Sequence, residues 1–292
     1  MNFAIRYLTE YRYETPATDN LNALRVQPAT TANQRCDDFN LLIDPETRLG
    51  RHVDYFGTEV IEFGISRPHV KLTIDARARV ATTSPPAPPD APWEELEAPG
   101  YREVGGEFLF GVGAEATDQR LVELAELMEA GTPRDAVARL TELIPEQFEY
   151  RSGVTYVGST VQDLIEAGAG VCQDFVHLAL ILLRRRGIAA RYVSGYLFAA
   201  PADGGTNSVE VDTHAWLEAL LPTEGAPLWV GFDPTNSSQA GERHVKIGHG
   251  RHYPDVPPIK GVFRGGSAEL ETSVRMTRVD PASTGSAAIL AP

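Results

Sequence analysis

The chain has 292 residues, 42% of them hydrophobic and 23% charged, with 26 Lys plus Arg against 40 Asp plus Glu and a formal net charge of −14. This is the composition of a globular protein of one or two domains. Its acidity argues against nucleic acid or an anionic membrane as partner, because phosphate binding needs clustered positive charge.

The N-terminus, Met1-Asn-Phe-Ala-Ile-Arg-Tyr, lacks the basic region, apolar core and small-residue cleavage site of a signal peptide. The longest apolar run, Leu178 to Leu183, is six residues, too short for a membrane span. Two cysteines, Cys36 and Cys172, make no disulfide framework. A cytoplasmic, reduced protein is the expectation.

Residues 1–83 read as strands, with period-two alternation of β-branched and aromatic residues in runs from Phe3, Asn40, Val60 and Val70. Turn chemistry separates them at Pro45-Glu-Thr and Phe56-Gly-Thr, and an antiparallel β-sandwich domain is expected. Residues 84–95 open with Ser-Pro-Pro-Ala-Pro-Pro-Asp-Ala-Pro, which suits neither helix interior nor central strand and marks a linker.

The period then becomes helical. Helices are predicted from Asp118, from Thr132-Pro as N-cap and first turn to about Ile144, from Thr160 to Gly168, and from near Cys172 to Gly187. Strands follow from Ala190, from His214 and from Leu228 to Asp233. Helices first and consecutive strands after give an α+β core over residues 96–265. Residues 266–292, rich in Ala, Ser, Thr and Gly, are expected to form a mobile tail.

Three segments carry chemistry: Gly168-Ala-Gly-Val-Cys-Gln-Asp-Phe-Val-His, Asp212-Thr-His-Ala-Trp and Trp229-Val-Gly-Phe-Asp-Pro-Thr-Asn. Cys172 stands at the first turn of an apolar helix, where backbone N–H groups and the helix dipole favour a thiolate nucleophile. His214, with Trp216 on the same strand face, is the candidate base. Asp233, at the end of the next strand, can accept the second ring N–H and orient the imidazole. If Thr223-Glu-Gly-Ala-Pro joins two antiparallel strands, His214 and Asp233 fall opposite each other. A buried structural cysteine, a half-buried histidine and a turn aspartate are the plain alternatives for the three taken singly.

His177 lies five residues after Cys172, about 140° around a helix, and is read as a core or supporting histidine. No paired Cys-x-x-Cys or His-x-x-x-His spacing accompanies Cys172, Asp174 and His177, so no metal and no cofactor are expected.

Gly170-Val-Cys-Gln-Asp-Phe-Val-His-Leu, Arg191-Tyr-Val-Ser-Gly-Tyr, Thr213-His-Ala-Trp and Phe232-Asp-Pro-Thr-Asn resemble the bacterial transglutaminase-like proteins. The strand-rich N-terminal region and Gly250-Arg-His-Tyr-Pro-Asp-Val-Pro-Pro-Ile-Lys-Gly resemble that family too. The resemblance, over residues 1–265, implies a papain-like core with Cys172 as nucleophile, His214 as base and Asp233 as orienter.

Animal transglutaminases hold the oxyanion with a tryptophan upstream of the cysteine, whereas here no tryptophan lies between Trp93 and Trp216. The Cys172 backbone N–H is one candidate oxyanion donor. Gln173, Tyr150 and Tyr156 are candidates for a second, and Trp216 for a supporting role.

The expected reaction is thiol-dependent acyl transfer on a peptide or protein amide, with hydrolysis first. Transglutaminase chemistry with an amine acceptor and a non-catalytic peptide-binding module are the alternatives. The motifs specify no oligomeric state.

Overall fold

The computed structural model describes residues 1–110, 118–199, 208–211 and 213–279. Strand β1 (Asn2–Leu24) begins with Phe3, Ile5, Tyr7 and Thr9 buried and the intervening residues partly exposed, the alternation of a strand with one face on a core. β2 (Gln34–Asp44), β3 (Leu49–Val53), β4 (Glu59–Ile65) and β5 (His69–Thr82) complete the N-terminal strand region. Residues 83–92 have no regular structure, in keeping with their prolines.

The helical part follows as α1 (Pro99–Gly105), α2 (Gln119–Glu126), α3 (Pro133–Gln147), the short strand β6 (Glu149–Tyr150), α4 (Val161–Ala167), β7 (Ala169–Gly170) and α5 (Cys172–Arg185). Asp118, Thr132 and Thr160 cap α2, α3 and α4 by accepting backbone N–H groups, as their positions predict. Gly168, at φ +61°, closes α4 in the left-handed region that glycine occupies without strain.

β8 (Ala190–Leu197), β9 (Ser208–Val211), β10 (Thr213–Leu221), β11 (Leu228–Asp233), β12 (Ser238–Gln239), β13 (His244–Gly250), β14 (Ile259–Arg264) and β15 (Ala268–Arg278) follow. β12-β11-β10-β8-β13 form one antiparallel sheet. Helix α5 packs on it, burying Phe175, Val176, Ala179 and Leu183 with Ala215, Leu217 and Ala219 of β10 in one core. The fold is mixed α+β, as expected.

The N-terminal region is one curled, eight-stranded antiparallel sheet. Long β1 serves both leaves, pairing with β5 and β15 over its first half and with β4 and β14 over its second. Phe3 meets Phe198, just after β8, and Tyr7 meets Tyr196 of β8, at 5.2 and 6.4 Å between ring centroids, so the two sheets share a core. The Gln34 side chain donates to the Lys246 carbonyl and accepts its N–H, both at 2.7 Å, covering part of edge strand β13.

The C-terminal expectation needs correction. Residues 268–278 are not tail: β15 lies between β1 and β9 with Val274 and Met276 fully buried. β14 also belongs to the N-terminal sheet, so the helix-backed core ends before Ile259 rather than at 265. Only one face of β15 is buried, and its mainly polar composition hid the alternation. Residues 280–292 of the expected tail lie outside the described residues.

Candidate active site

The thiol is positioned by the turn that launches α5. A Cβ on Gly170 would come within 2.8 Å of both the Asp174 carboxylate and Leu164, so only glycine lets the chain enter there. Asp174, 3% exposed, accepts the Val171 N–H at 2.8 Å and the Thr155 hydroxyl at 2.6 Å. This clamp fixes the first turn, and Cys172 is its first residue, partly exposed.

His214 comes from β10 and Asp233 from β11. Their register pairs Leu217 with Phe232, which sets Asp233 opposite Trp216 rather than opposite His214, as the sequence had suggested. The two side chains still share a face and meet diagonally, His214 Nε2 donating to Asp233 Oδ2 at 2.8 Å. Cys172 lies close enough to His214 to help raise its pKa. With Nε2 engaged by Asp233, Nδ1 is the atom left for the sulfur.

Asp233 is fully buried, and five N–H groups point at it. Oδ1 accepts from the backbone of Thr235 and Asn236 at 3.0 and 3.2 Å. Oδ2 accepts from His214, from Asn236 Nδ2 at 2.7 Å and from His244 Nε2 at 3.0 Å. Burial alone would raise its pKa, but these partners hold it well below the ordinary carboxylate range. Burial likewise disfavours a charged His214, and the bond to Asp233 together with the nearby Cys172 outweighs it, raising its pKa to about 9. Near neutral pH the imidazole therefore holds its proton.

His244, on edge strand β13, was not read from the sequence. It stands outside every recognised motif, in a glycine-flanked stretch without strong strand signals. Its side chain is 6% exposed, and its Nδ1 accepts the Gly241 N–H at 3.1 Å. That bond leaves the ring proton of the neutral form on Nε2, facing Asp233.

His214, Asp233 and His244 converge within 4.8 Å, a donor set that zinc can use. A metal would need the His244 Nε2 lone pair, which the Gly241 contact assigns to a proton. The geometry suits a hydrogen-bonded assembly better.

Trp216 roofs this assembly from within the protein. It is 2% exposed, stacked on His214 at 6.2 Å and edge-on to His244 at 5.2 Å. It lies across the flanking strands because both present glycine: a Cβ on Gly195 of β8 would collide with the Trp216 ring and the Val245 carbonyl, and Gly231 of β11 lies beside the indole.

The remaining candidates separate. Gln173 is on the same helical turn as the thiol and lines a cavity of about 760 Å³ on the flank of α5. Tyr150, 54% exposed, packs edge-on to Phe175, and Tyr156 is 75% exposed. His177 is half-buried beside Tyr192, accepts the Tyr253 N–H at 3.4 Å, and desolvation pushes its pKa down to about 4. It is a neutral histidine in a supporting position.

Further along the same sheet face, Glu218 of β10 joins Lys246 of β13 at 2.6 Å and Arg191 of β8 at 2.6 Å. Arg191 stacks on Trp229 of β11 at 4.1 Å. One carboxylate thus ties three strands, and the stacking reaches the fourth.

Residues 3–81 match the bacterial transglutaminase-like N-terminal region, and residues 123–234 match the transglutaminase-like superfamily. An uncharacterised protein of Mycobacterium leprae is 35% identical over 274 residues, 93% of this chain and 96% of that protein. The crystal structure of a "Putative Cysteine Protease" from Cytophaga hutchinsonii is similar with a TM-score of 0.73 and 25% identity, over 96% of this chain and 92% of that one. The protein-glutamine gamma-glutamyltransferase of Pseudomonas aeruginosa is 28% identical over 151 residues, 48% of this chain and 22% of that protein.

Proposed function

The chain belongs to the transglutaminase-like superfamily, and from that premise we propose that it cleaves an amide by thiol acyl transfer, with water as the second nucleophile. The observation that carries this reading is the position of His214, hydrogen-bonded to Asp233 and close enough to Cys172 to feel its charge. The sulfur attacks the carbonyl carbon as a thiolate, with the imidazole holding the proton. The C–N bond breaks as His214 gives its proton to the leaving amine, and a thioester remains. Water then attacks the thioester, His214 takes its proton, and the acid departs with the thiolate restored. The Cys172 backbone N–H, at the start of α5, is our candidate for one oxyanion donor, with Gln173 for a second. A compartment that keeps Cys172 reduced, such as the cytoplasm, suits this cycle.

Transamidation differs only in the second nucleophile, and the activity in the name of the Pseudomonas relative keeps it in view. Hydrolysis is preferred because no tryptophan shelters the region beside Gln173. Trp93 packs on Arg186, Trp216 lies under the histidines, and Trp229 covers Arg191. The test is mass spectrometry of glutamine-containing peptides incubated with the protein in ¹⁸O water, with and without cadaverine. Label in a new carboxylate, absent with Cys172→Ala, supports hydrolysis. A cadaverine adduct in its place assigns transamidation. Neither product, with no acyl-enzyme trapped, defeats the catalytic reading.

A further inference from the structure

The cavity beside Gln173 is unexplained by the triad, and so is the segment Gly250-Arg-His-Tyr-Pro-Asp-Val-Pro-Pro-Ile-Lys-Gly. The two belong together, because Arg251, Tyr253, Pro254, Pro257, Ile259 and Lys260 form one wall of the cavity. A stripe on α5 forms an adjoining wall: Gln173, His177, Leu180, Ile181 and Arg184 recur at helical spacing. Gln173 begins the stripe next to the nucleophile, and Arg184 ends it. At a rise of 1.5 Å per residue the two are about 16 Å apart along the helix.

The charge of this lining runs against that of the protein. The chain carries a formal net charge of −14, yet the titratable residues lining the cavity are Arg184, Arg251, Lys260, His177 and His252, with no Asp or Glu among them. Asp255 pairs with Arg251 at 3.1 Å and lies 3.2 Å from His252, and Glu107 lies 3.9 Å from Arg251. Arg184 is 9% exposed, and its guanidinium donates to the carbonyls of Phe108, Ala190 and Arg251. Among the described residues neither Arg184 nor Lys260 has a carboxylate within ion-pairing distance. A guanidinium stays charged, and one that donates to carbonyls without a carboxylate at bonding distance attracts an anion. Apolar walls with a few placed polar groups, at this volume, are the usual make-up of a ligand pocket.

Resting on the acyl-transfer reading, we propose that this pocket receives the non-reacting body of the substrate, a short apolar peptide segment that ends in a free carboxylate. The amide carbonyl sits at Cys172, Leu180 and Ile181 take apolar side chains, and Arg184 with Lys260 receives the carboxylate. At about 3.3 Å per extended residue, 16 Å spans four to five residues.

The test uses the full chain as Cys172→Ala, so that occupancy is read without turnover. The probes are dansyl-Leu-Val-Leu-Leu with a free C-terminal carboxylate and the same peptide as its C-terminal amide, titrated by fluorescence anisotropy. The acid is expected to bind about tenfold tighter than the amide. Adding Lys260→Glu, at an exposed position, should reduce that preference to twofold or less. Adding Val157→Glu, at the exposed rim, should weaken the acid more than the amide. In the wild-type protein the acid should slow iodoacetamide labelling of Cys172. Equal binding of acid and amide, an unchanged preference in Lys260→Glu, or unprotected Cys172 at saturating acid each overturns the proposal. The titrations in Cys172→Ala do not depend on catalysis, so failure of the acyl-transfer reading leaves their outcome distinct.

Discussion

Asp233→Asn is the sharpest perturbation of the assembly around His214. The carboxylate has no spare face: Oδ1 meets two backbone N–H groups, and Oδ2 meets two histidines and Asn236. An asparagine Nδ2 in either place confronts donors with a donor. If it takes the Oδ2 place, His214 relieves the clash only as the neutral tautomer with its proton on Nδ1. That nitrogen faces Cys172 and can then accept nothing from the thiol. The gap between about 9 and the ordinary 6.5 for His214 is worth about 3 kcal/mol at 1.36 kcal/mol per pH unit. Asp233 is the largest contributor that raises the value and Cys172 the next, so removing the carboxylate disfavours the charged imidazole. The tautomer error adds to this, and turnover is expected to fall on the order of 10²- to 10⁴-fold. Iodoacetamide labelling of Cys172 at pH 6, in a Cys36→Ala background, reads the pair directly. Cys36 itself is a poor competitor, because burial pushes its thiol pKa up. A folded Asp233→Asn protein that labels within threefold of wild type at pH 6 refutes the reasoning.

Other consequences follow from the same sheet. Gly195→Ala should cost about 1–3 kcal/mol by overpacking against Trp216 and Val245, measured by urea denaturation, and should slow turnover by moving the ring that backs His214. Glu218→Ala leaves Lys246 and Arg191 without their shared carboxylate and should cost about 3–5 kcal/mol, whereas Glu10→Ala, which loses pairs with the more exposed Arg12 and Lys71, should cost far less. A comparable loss for both in thermal melts refutes the assignment of Glu218. The stability profile should carry the mark of His214: its folded value lies above its unfolded one, so its contribution is complete below about pH 6.5 and is lost as pH rises through about 9. Asp233 works in the opposite direction, contributing above the ordinary carboxylate range near 3.8 and losing that contribution as pH falls. Urea midpoints of His214→Ala should be flatter than wild type between pH 6.5 and 9.5, and an equal slope counts against the pairing.

Cys172, His214 and Asp233 were legible as candidates because each sits in a short segment whose local signals are specific. A glycine turn before a helix start, a strand with histidine and tryptophan on one face, and Asp-Pro-Thr-Asn after a strand can each be read without the fold. Long-range placement could not be read this way. His244 reaches Asp233 only because β13 pairs with β8 on the far side of β10, and nothing near residue 244 encodes that neighbour. The strand register came out two residues off for a similar reason, since the turn after Leu221 sets it. Strand β15 was lost to averaging: two buried residues, Val274 and Met276, among exposed polar ones resemble a tail until β1 supplies their partner. The antiparallel pattern of residues 1–83 was plain, but that the last described strand completes their sheet was not.

That completion orders events on the ribosome. β1 is made first and finds β5 and β4 early, yet its other side waits for β14 and β15. Roughly 200 residues separate β5 from the end of β15, about 10–40 s of synthesis at 5–20 residues per second. Through that interval one side of β1 offers unpaired N–H and C=O groups, a template on which another nascent chain can add a strand. The segment bearing Cys172 emerges in the meantime, so the thiol appears before the N-terminal sheet is closed. A chain shortened by trimming its last 25 or so residues would keep Cys172, His214 and Asp233 and still be left with that open edge.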